Sequence, residues 1–205
     1  MKRKVSNYYF SIVLTGLAQL LFVSYDSLGQ RLNLSYKVMQ NNNTLGWIKI
    51  QKTETGTSSH IILDSEIKKK LIFTISVVEK QEATFTNELM MKSFIYRKVN
   101  NDVKMNKNTL YNGKFYDVRN LGKSERLMIS RIHYNLLSLY FKEPVNVKQV
   151  YSDTFQQLLN IEFAGNACYK VKLPDGNSNY YYYANGICSR VRLEHTLFSI
   201  EFVRN

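Results

Sequence analysis

The chain has 205 residues, with 28 Lys and Arg against 16 Asp and Glu, two Cys, two Pro and 13% aromatics. Aliphatic and aromatic side chains are plentiful and the charged fraction is ordinary, which excludes a disordered, collagenous or disulfide-framework protein. One folded domain is expected, with a formal net charge of +12 that its surroundings must explain.

Residues 1–29 read as a signal peptide. Lys2, Arg3 and Lys4 form a positive start, Tyr8 to Val23 is uncharged and mostly apolar, and Ser27-Leu28-Gly29 places small residues at the two cleavage-determining positions. A membrane anchor would need around 20 predominantly apolar residues, whereas this stretch is shorter and ends in Ser24-Tyr25-Asp26-Ser27. No Cys follows to carry a lipid. The expected product is a soluble exported protein, periplasmic or secreted, formed by residues 30–205 as a single antiparallel β domain. Its net charge would be +10 after loss of three basic residues and Asp26. In that compartment a basic protein meets anionic lipid headgroups and acidic polysaccharides, so an anionic envelope surface is a candidate partner and nucleic acid is not; the alternative is a solvated basic surface that aids solubility and binds nothing specific.

From Arg31 to Met39 the residues alternate, with Leu32, Leu34, Tyr36 and Val38 on one face. The turn-rich Asn41 to Gly46 and a second strand from Trp47 to Lys52 complete a hairpin. Alternation resumes at His60 to Lys68, Leu71 to Val78 and Phe94 to Val99, then at Val103 to Met105, and Asn112-Gly113 marks a tight turn. Nothing reads as a βαβ unit. Ile129, Ile132, Leu136, Leu139 and Tyr140 instead fall at helical spacing before the stop at Glu143-Pro144. One short amphipathic helix is expected over 129–140, packed in the concave side of the sheet because only the sheet can cover its apolar face. A strand pair through Tyr134 to Phe141 is the alternative.

Three strands follow, Cys168 to Leu173, Asn179 to Ala184 and Ile187 to Leu193, and a last one from Leu197 to Val203. A two-residue turn at Asn185-Gly186 sets Tyr183 against Cys188, Tyr182 against Ser189 and Tyr181 against Arg190. An even loop after Leu173 then puts Lys170, Lys172, Arg190 and Arg192 on one face with Tyr181 and Tyr183. Tyr169, Val171, Tyr180, Tyr182, Val191 and Leu193 are left for the core. An odd loop would mix the two sets. In either register Cys168 and Cys188 are too far apart to bridge, being two strand spacings or roughly 9.5 Å from each other.

The strand Leu34-Ser35-Tyr36-Lys37-Val38 followed by Leu45-Gly46, the segment Leu139 to Pro144, and the ending Pro174-Asp175-Gly176 with Asn179 to Gly186 together resemble a family of uncharacterised exported bacterial proteins, best known from Bacteroidetes, defined only as a domain of unknown function. That family is similar to periplasmic half-barrels typified by lipoprotein carriers. The resemblance implies a curved antiparallel sheet around a helical plug, with lipid or apolar-ligand binding as an analogy, and it brings no catalytic motif.

Enzyme chemistry finds no footing. Gly122-Lys123-Ser124 mimics the end of a phosphate loop, but Asp117 stands where the upstream Gly is required. His60, His133 and His195 are dispersed, without the spacing of metal ligands. Cys188, His195 and Arg190 match no nucleophile motif, and Asp64 and Glu66 share a solvated strand face. No catalytic residue, metal or cofactor is therefore expected. The mainly β domain is read as an open half-barrel meander that holds an apolar or lipid-like small molecule, with Leu34, Tyr36, Ile75, Ile132, Leu136 and Leu139 lining the cavity. Lys170, Tyr181, Tyr183 and Arg190 form an aromatic and basic outer surface. The competing reading is a structural or protein-interaction module of the envelope whose core is filled, and an unfilled interior of a few hundred cubic ångströms would separate the two.

Overall fold

The computed structural model describes residues 29–70, 74–195 and 198–205; the signal segment up to residue 28 lies outside them, as do the expected strand starts at 71–73 and 197. The first half contributes β1 (Gln30–Gln40), β2 (Asn43–Thr55), β3 (Ser58–Lys70), β4 (Thr74–Thr86), β5 (Leu89–Val99), β6 (Asp102–Tyr111), β7 (Tyr116–Asn120) and β8 (Lys123–Leu127). The second half contributes β9 (Gln149–Ser152), β10 (Gln157–Gly165), β11 (Cys168–Lys172), β12 (Ser178–Ala184), β13 (Ile187–His195) and β14 (Phe198–Arg204). Each half is a meander, and β1 pairs with β14, so that all fourteen form one antiparallel sheet with β8 and β9 at its edges.

The alternation read from the sequence sets the inner face. On β1, Tyr36 and Val38 are buried while Lys37 between them is exposed, as the period of two requires. A flat sheet of fourteen strands would be roughly 60 Å wide. Here buried residues from both meanders, among them Val38, Ile61, Tyr116, Val150, Tyr169 and Phe202, belong to one contiguous core. The sheet is therefore rolled, although its edges do not meet as paired strands.

The expected helix over 129–140 is absent: among the described residues the only helical element is a 3₁₀ turn at Ser138–Tyr140. Its residues belong to an irregular strap, 128–148, that joins the edge strands, and the strap's backbone bonds run to the sheet instead of along a helix. Met90 N donates to Ile132 O at 2.8 Å, Tyr151 N to Tyr134 O at 2.8 Å, Leu136 N to Tyr151 O at 3.1 Å and Glu143 N to Gly186 O at 3.0 Å. The Asn135 side chain accepts from Ser138 N and from the Ser138 hydroxyl, fixing a tight turn where a helix would have to continue. Sheet partners outcompete a nascent helix of only three turns, which is marginal alone. Of the five residues at helical spacing, Ile132, Leu139 and Tyr140 are buried while Ile129 and Leu136 are half-buried, and the fully buried Leu137 falls outside the helical pattern, as a strap zigzagging across the core requires.

A second correction concerns β11 to β13. The loop between Lys172 and its partner Ser178 is odd, five residues long, and Tyr169 pairs with Tyr181. A bulge then places Tyr182 opposite Arg190 and Tyr183 opposite Cys188, with Ser189 left over, and the Ser189 hydroxyl donates to Tyr182 O at 3.1 Å. Odd loop and bulge cancel in parity. Tyr181 and Tyr183, expected on the surface, are buried at 3% and 8% exposure, while Tyr180 and Tyr182 take the outer face with the basic residues. Cys188 points inward and Cys168 outward, both unpaired.

Close packing also fixes β2 against β3: a Cβ at Gly46 would lie 2.0 Å from the Glu66 carbonyl oxygen. Gly46→Ala is expected to lower stability by about 1–3 kcal/mol, read from the denaturant midpoint, and an unshifted midpoint would contradict this strand spacing. Thiol titration of denatured, unreduced protein should find both cysteines. In the native protein Cys188, whose thiol burial pushes up to about 12, should react far more slowly than a free model thiol.

Candidate functional site

Strand direction gathers the turns at 41–42, 100–101, 121–122, 153–156 and 173–177 at one end of the roll, and those at 56–57, 87–88, 112–115, 166–167 and 185–186 at the other. The strap crosses that second end and seals it. Ile132 N donates to the Tyr116 hydroxyl at 3.1 Å, which itself donates to Met90 O at 2.9 Å. Farther along, the Tyr183 hydroxyl donates to Leu139 O at 2.7 Å. Tyr140 stands edge-on to Tyr36 and to Tyr181, with ring centres 5.4 and 6.2 Å apart, and so builds a floor of rings. Burial holds the Tyr140 hydroxyl well above its ordinary pKa, so it stays neutral.

Above this floor lies a cavity of about 440 Å³ that opens toward the first end. Ile48 and Leu63 wall it on one side, Val191, Leu193 and Phe202 on the other, and Leu136 and Tyr140 come from the strap. Other depressions among the described residues include one of about 360 Å³ between the 56–58 turn and His133, Tyr134 and Lys142 of the strap, a groove of about 660 Å³ over the outer faces of β4 to β7, and others along β1 to β3 and between β1 and β14. Among the described residues, the cavity above the ring floor, open at one end, is the one lined by the inner faces of both meanders, and concavity with apolar walls is what a small-molecule site requires.

Of the six residues expected to line it, Leu136 does so. Tyr36, Ile132 and Leu139 are fully buried in the packed core, with Tyr36 donating to Cys188 O at 2.8 Å. Leu34 packs against the core without reaching the cavity. Ile75 is half-buried on the face of β4 that also carries Val77, outside the lining. Tyr181, expected outside, is part of the wall.

The outer face of β11 to β13 keeps its basic and aromatic character with different tyrosines. The Arg190 guanidinium lies 4.0 Å from the Tyr182 ring centre, Arg192 lies 4.9 Å from that of Tyr180, and Lys170 5.6 Å from the same ring. Two of these cations are also paired, Arg190 with Glu201 at 3.5 Å and Arg192 with Glu194 at 2.7 Å. Among the described residues no group of three His, Cys, Asp or Glu could hold a metal ion.

Two polar features inside the roll went unread in the sequence. In the cavity wall, Glu79 accepts hydrogen bonds from Arg97 and from Gln81, with Ser65 opposite Glu79 on β3. Deeper, the carboxylate of Asp153, in the turn after β9, accepts from the Ser93 hydroxyl of β5, and the Lys107 ammonium of β6 donates to Thr154 O at 2.7 Å. This tether holds the β9 edge against the inner face of β5 and β6. Both features leave a trace in the sequence, a charged residue in the apolar phase of a strand: Glu79 between Val77 and Ala83, Arg97 between Ile95 and Val99, Lys107 between Met105 and Thr109.

Such an arrangement defines an open, β-barrel-like cup with one interior cavity. Residues 36–205 match DUF6134, a domain of unknown function, and the chain belongs to that family. Among solved structures it is similar to the β-barrel-like protein of the domain of unknown function DUF1849 from Brucella abortus, with a TM-score of 0.54, 8% sequence identity, and coverage of 87% of this chain and 96% of that one. At that identity the likeness is one of fold alone. No curated protein matches the chain.

Burial pushes the Asp153 carboxyl up to about 6, against the opposing pull of Ser93, Asn135 and Lys107, while burial also lowers Lys107. The folded protein thus holds the Asp153 proton more tightly than the unfolded chain does. The resulting stability is fully present below about pH 4 and is lost as pH rises to about 6 and beyond, an effect on the order of 3 kcal/mol. Comparing wild type with Asp153→Asn by denaturant unfolding at several pH values should show the difference falling across that window and flat above it; parallel curves throughout would contradict this environment for Asp153.

Proposed function

We propose that this protein is an exported, non-catalytic binding protein of the cell envelope that holds an apolar or lipid-like molecule in the cup. The observation that carries the reading is the concave cavity of about 440 Å³, open at one end, within the range of small-molecule sites, where a structural module would have a filled core. The strap supports it by sealing one end, so that a guest enters from the other and its apolar part leaves water against Leu63, Val191, Leu193 and Phe202. Each methylene so buried contributes about 0.8 kcal/mol. On the outside, Tyr180 and Tyr182 with Lys170, Arg190 and Arg192 suit contact with an anionic envelope surface, a contact weakened by salt.

Mass spectrometry of organic extracts from protein purified out of its own envelope fraction tests the reading, with roughly one amphiphile per chain expected. Leu173, at the cavity wall and half-buried, allows a blocking variant. Leu173→Trp should keep the wild-type unfolding midpoint and lose most of the extracted amphiphile; extracts equally empty from wild type and variant would sink the proposal.

A further inference from the structure

The cavity wall carries a charge pattern that restricts what the cup can hold. Ser65, Glu79 and Arg97 occupy one row across β3, β4 and β5. The row toward the opening is apolar, Ile67, Val77 and Val99, and the row toward the floor is Leu63, Gln81 and Ile95. Glu79 and Arg97 are an ion pair whose side chains are 13% and 28% exposed, and Gln81 donates to the same carboxylate. Tyr181, Val191 and Phe202 line the opposite wall, and Asn179, Asp175 and His195 add polar groups to the lining on that side. Halfway down, then, the guest meets a belt of hydrogen-bonding groups whose charges already cancel.

Resting on the ligand reading above, we propose that the cup selects a single-chain amphiphile whose head is neutral and hydrogen-bonding, a hydroxyl, ester or amide, and rejects the corresponding free carboxylate. Size sets the single chain: 440 Å³ accommodates on the order of fifteen water-sized groups at about 30 Å³ each, too few for two long chains. Charge sets the head. A carboxylate beside this row would compete with Glu79 for Arg97 and leave one anion desolvated without a partner, a cost that a half-buried site does not recover. A neutral head instead accepts from the Arg97 guanidinium, and where it carries a hydroxyl or amide N–H also donates to Glu79 or Gln81, without breaking the pair.

Competition binding on the full mature chain decides this, with monooctanoylglycerol, whose size matches the cavity, as neutral probe and octanoate as its anionic counterpart, each displacing a fluorescent acyl reporter below its micelle concentration. Wild type should bind monooctanoylglycerol at least about tenfold more tightly than octanoate. Glu79→Gln, which leaves Arg97 uncompensated, should reverse that order. The double variant Glu79→Gln/Arg97→Gln, neutral again, should restore it and serves if the single variant does not fold. Octanoate binding to wild type as tightly as the neutral probe would overturn the head-group selection while leaving the acyl-binding cup intact. Failure of both probes and the reporter to bind would overturn the cup itself.

Discussion

Everything in this molecule depends on the pairing of its first strand with its last. Tyr36 lies opposite Arg204 and Val38 opposite Phe202, which sews two separate meanders, β1 to β8 and β14 to β9, into one sheet. Each meander alone has an apolar face with nothing to cover it. Once joined, right-handed twist accumulates over fourteen strands and the two apolar faces turn toward each other. The Tyr36 hydroxyl bonded to Cys188 O ties this seam to β13 from inside. Such contacts close a very long loop, so their formation is entropically costly and slow compared with the hairpins that precede it.

What keeps the roll from unwinding is a combination of cover and tether. The strap lies along the β9 edge, where Asn135 bridges Tyr151 in parallel fashion, and so satisfies backbone groups that an edge strand would otherwise present to water or to another chain. Lys107, Ser93 and Asp153 add a polar clamp between the two halves. Burying such groups is expensive, and Asn135 Nδ2 and Tyr151 Oη remain buried without a hydrogen bond of good geometry, although the Asn135 amide and the Thr109 hydroxyl are near enough to act on Asp153 and on Tyr151. The clamp contributes position more than stability: it decides where the turn with Thr154 and Phe155 stands at the cavity wall.

Much of the fold was legible because a period of two with Asn-Gly and Asn-Asn turns has few other meanings. The hairpins at 31–52 and around Asn185-Gly186 are where the residues place them, the latter with both turn residues at positive φ. Strands β8 and β9 were missed for a physical reason: Lys123, Ser124, Glu125 and Arg126 are all exposed at a sheet edge and β9 is buried on successive residues, so neither shows half-buried periodicity. Strands β7 and β10 do alternate, with Tyr116 and Val118 and then Leu159 and Ile161 buried, and were overlooked because their apolar pairs are short. Helical spacing at 129–140 misled because a strap crossing a concave surface also buries residues at irregular short intervals. The single-residue bulge at Ser189 has no local signature, yet it decides which tyrosines face inward. Of the site, the apolar lining was legible only in part, since Leu136 was found and Ile48, Val191, Leu193 and Phe202 were left as generic core. The Glu79–Arg97 row was visible as charges out of phase.

The unjoined edges have a mechanical consequence. In a closed barrel, strand number and stagger fix the radius, so the lumen has one calibre. Here β8 is held only by β7, it is short, and Lys123, Ser124, Glu125 and Arg126 along it are exposed. The perimeter is a hoop left unwelded between β8 and β9, and its girth rests on the side-chain contacts of one contiguous core instead of on a closed ladder of backbone bonds.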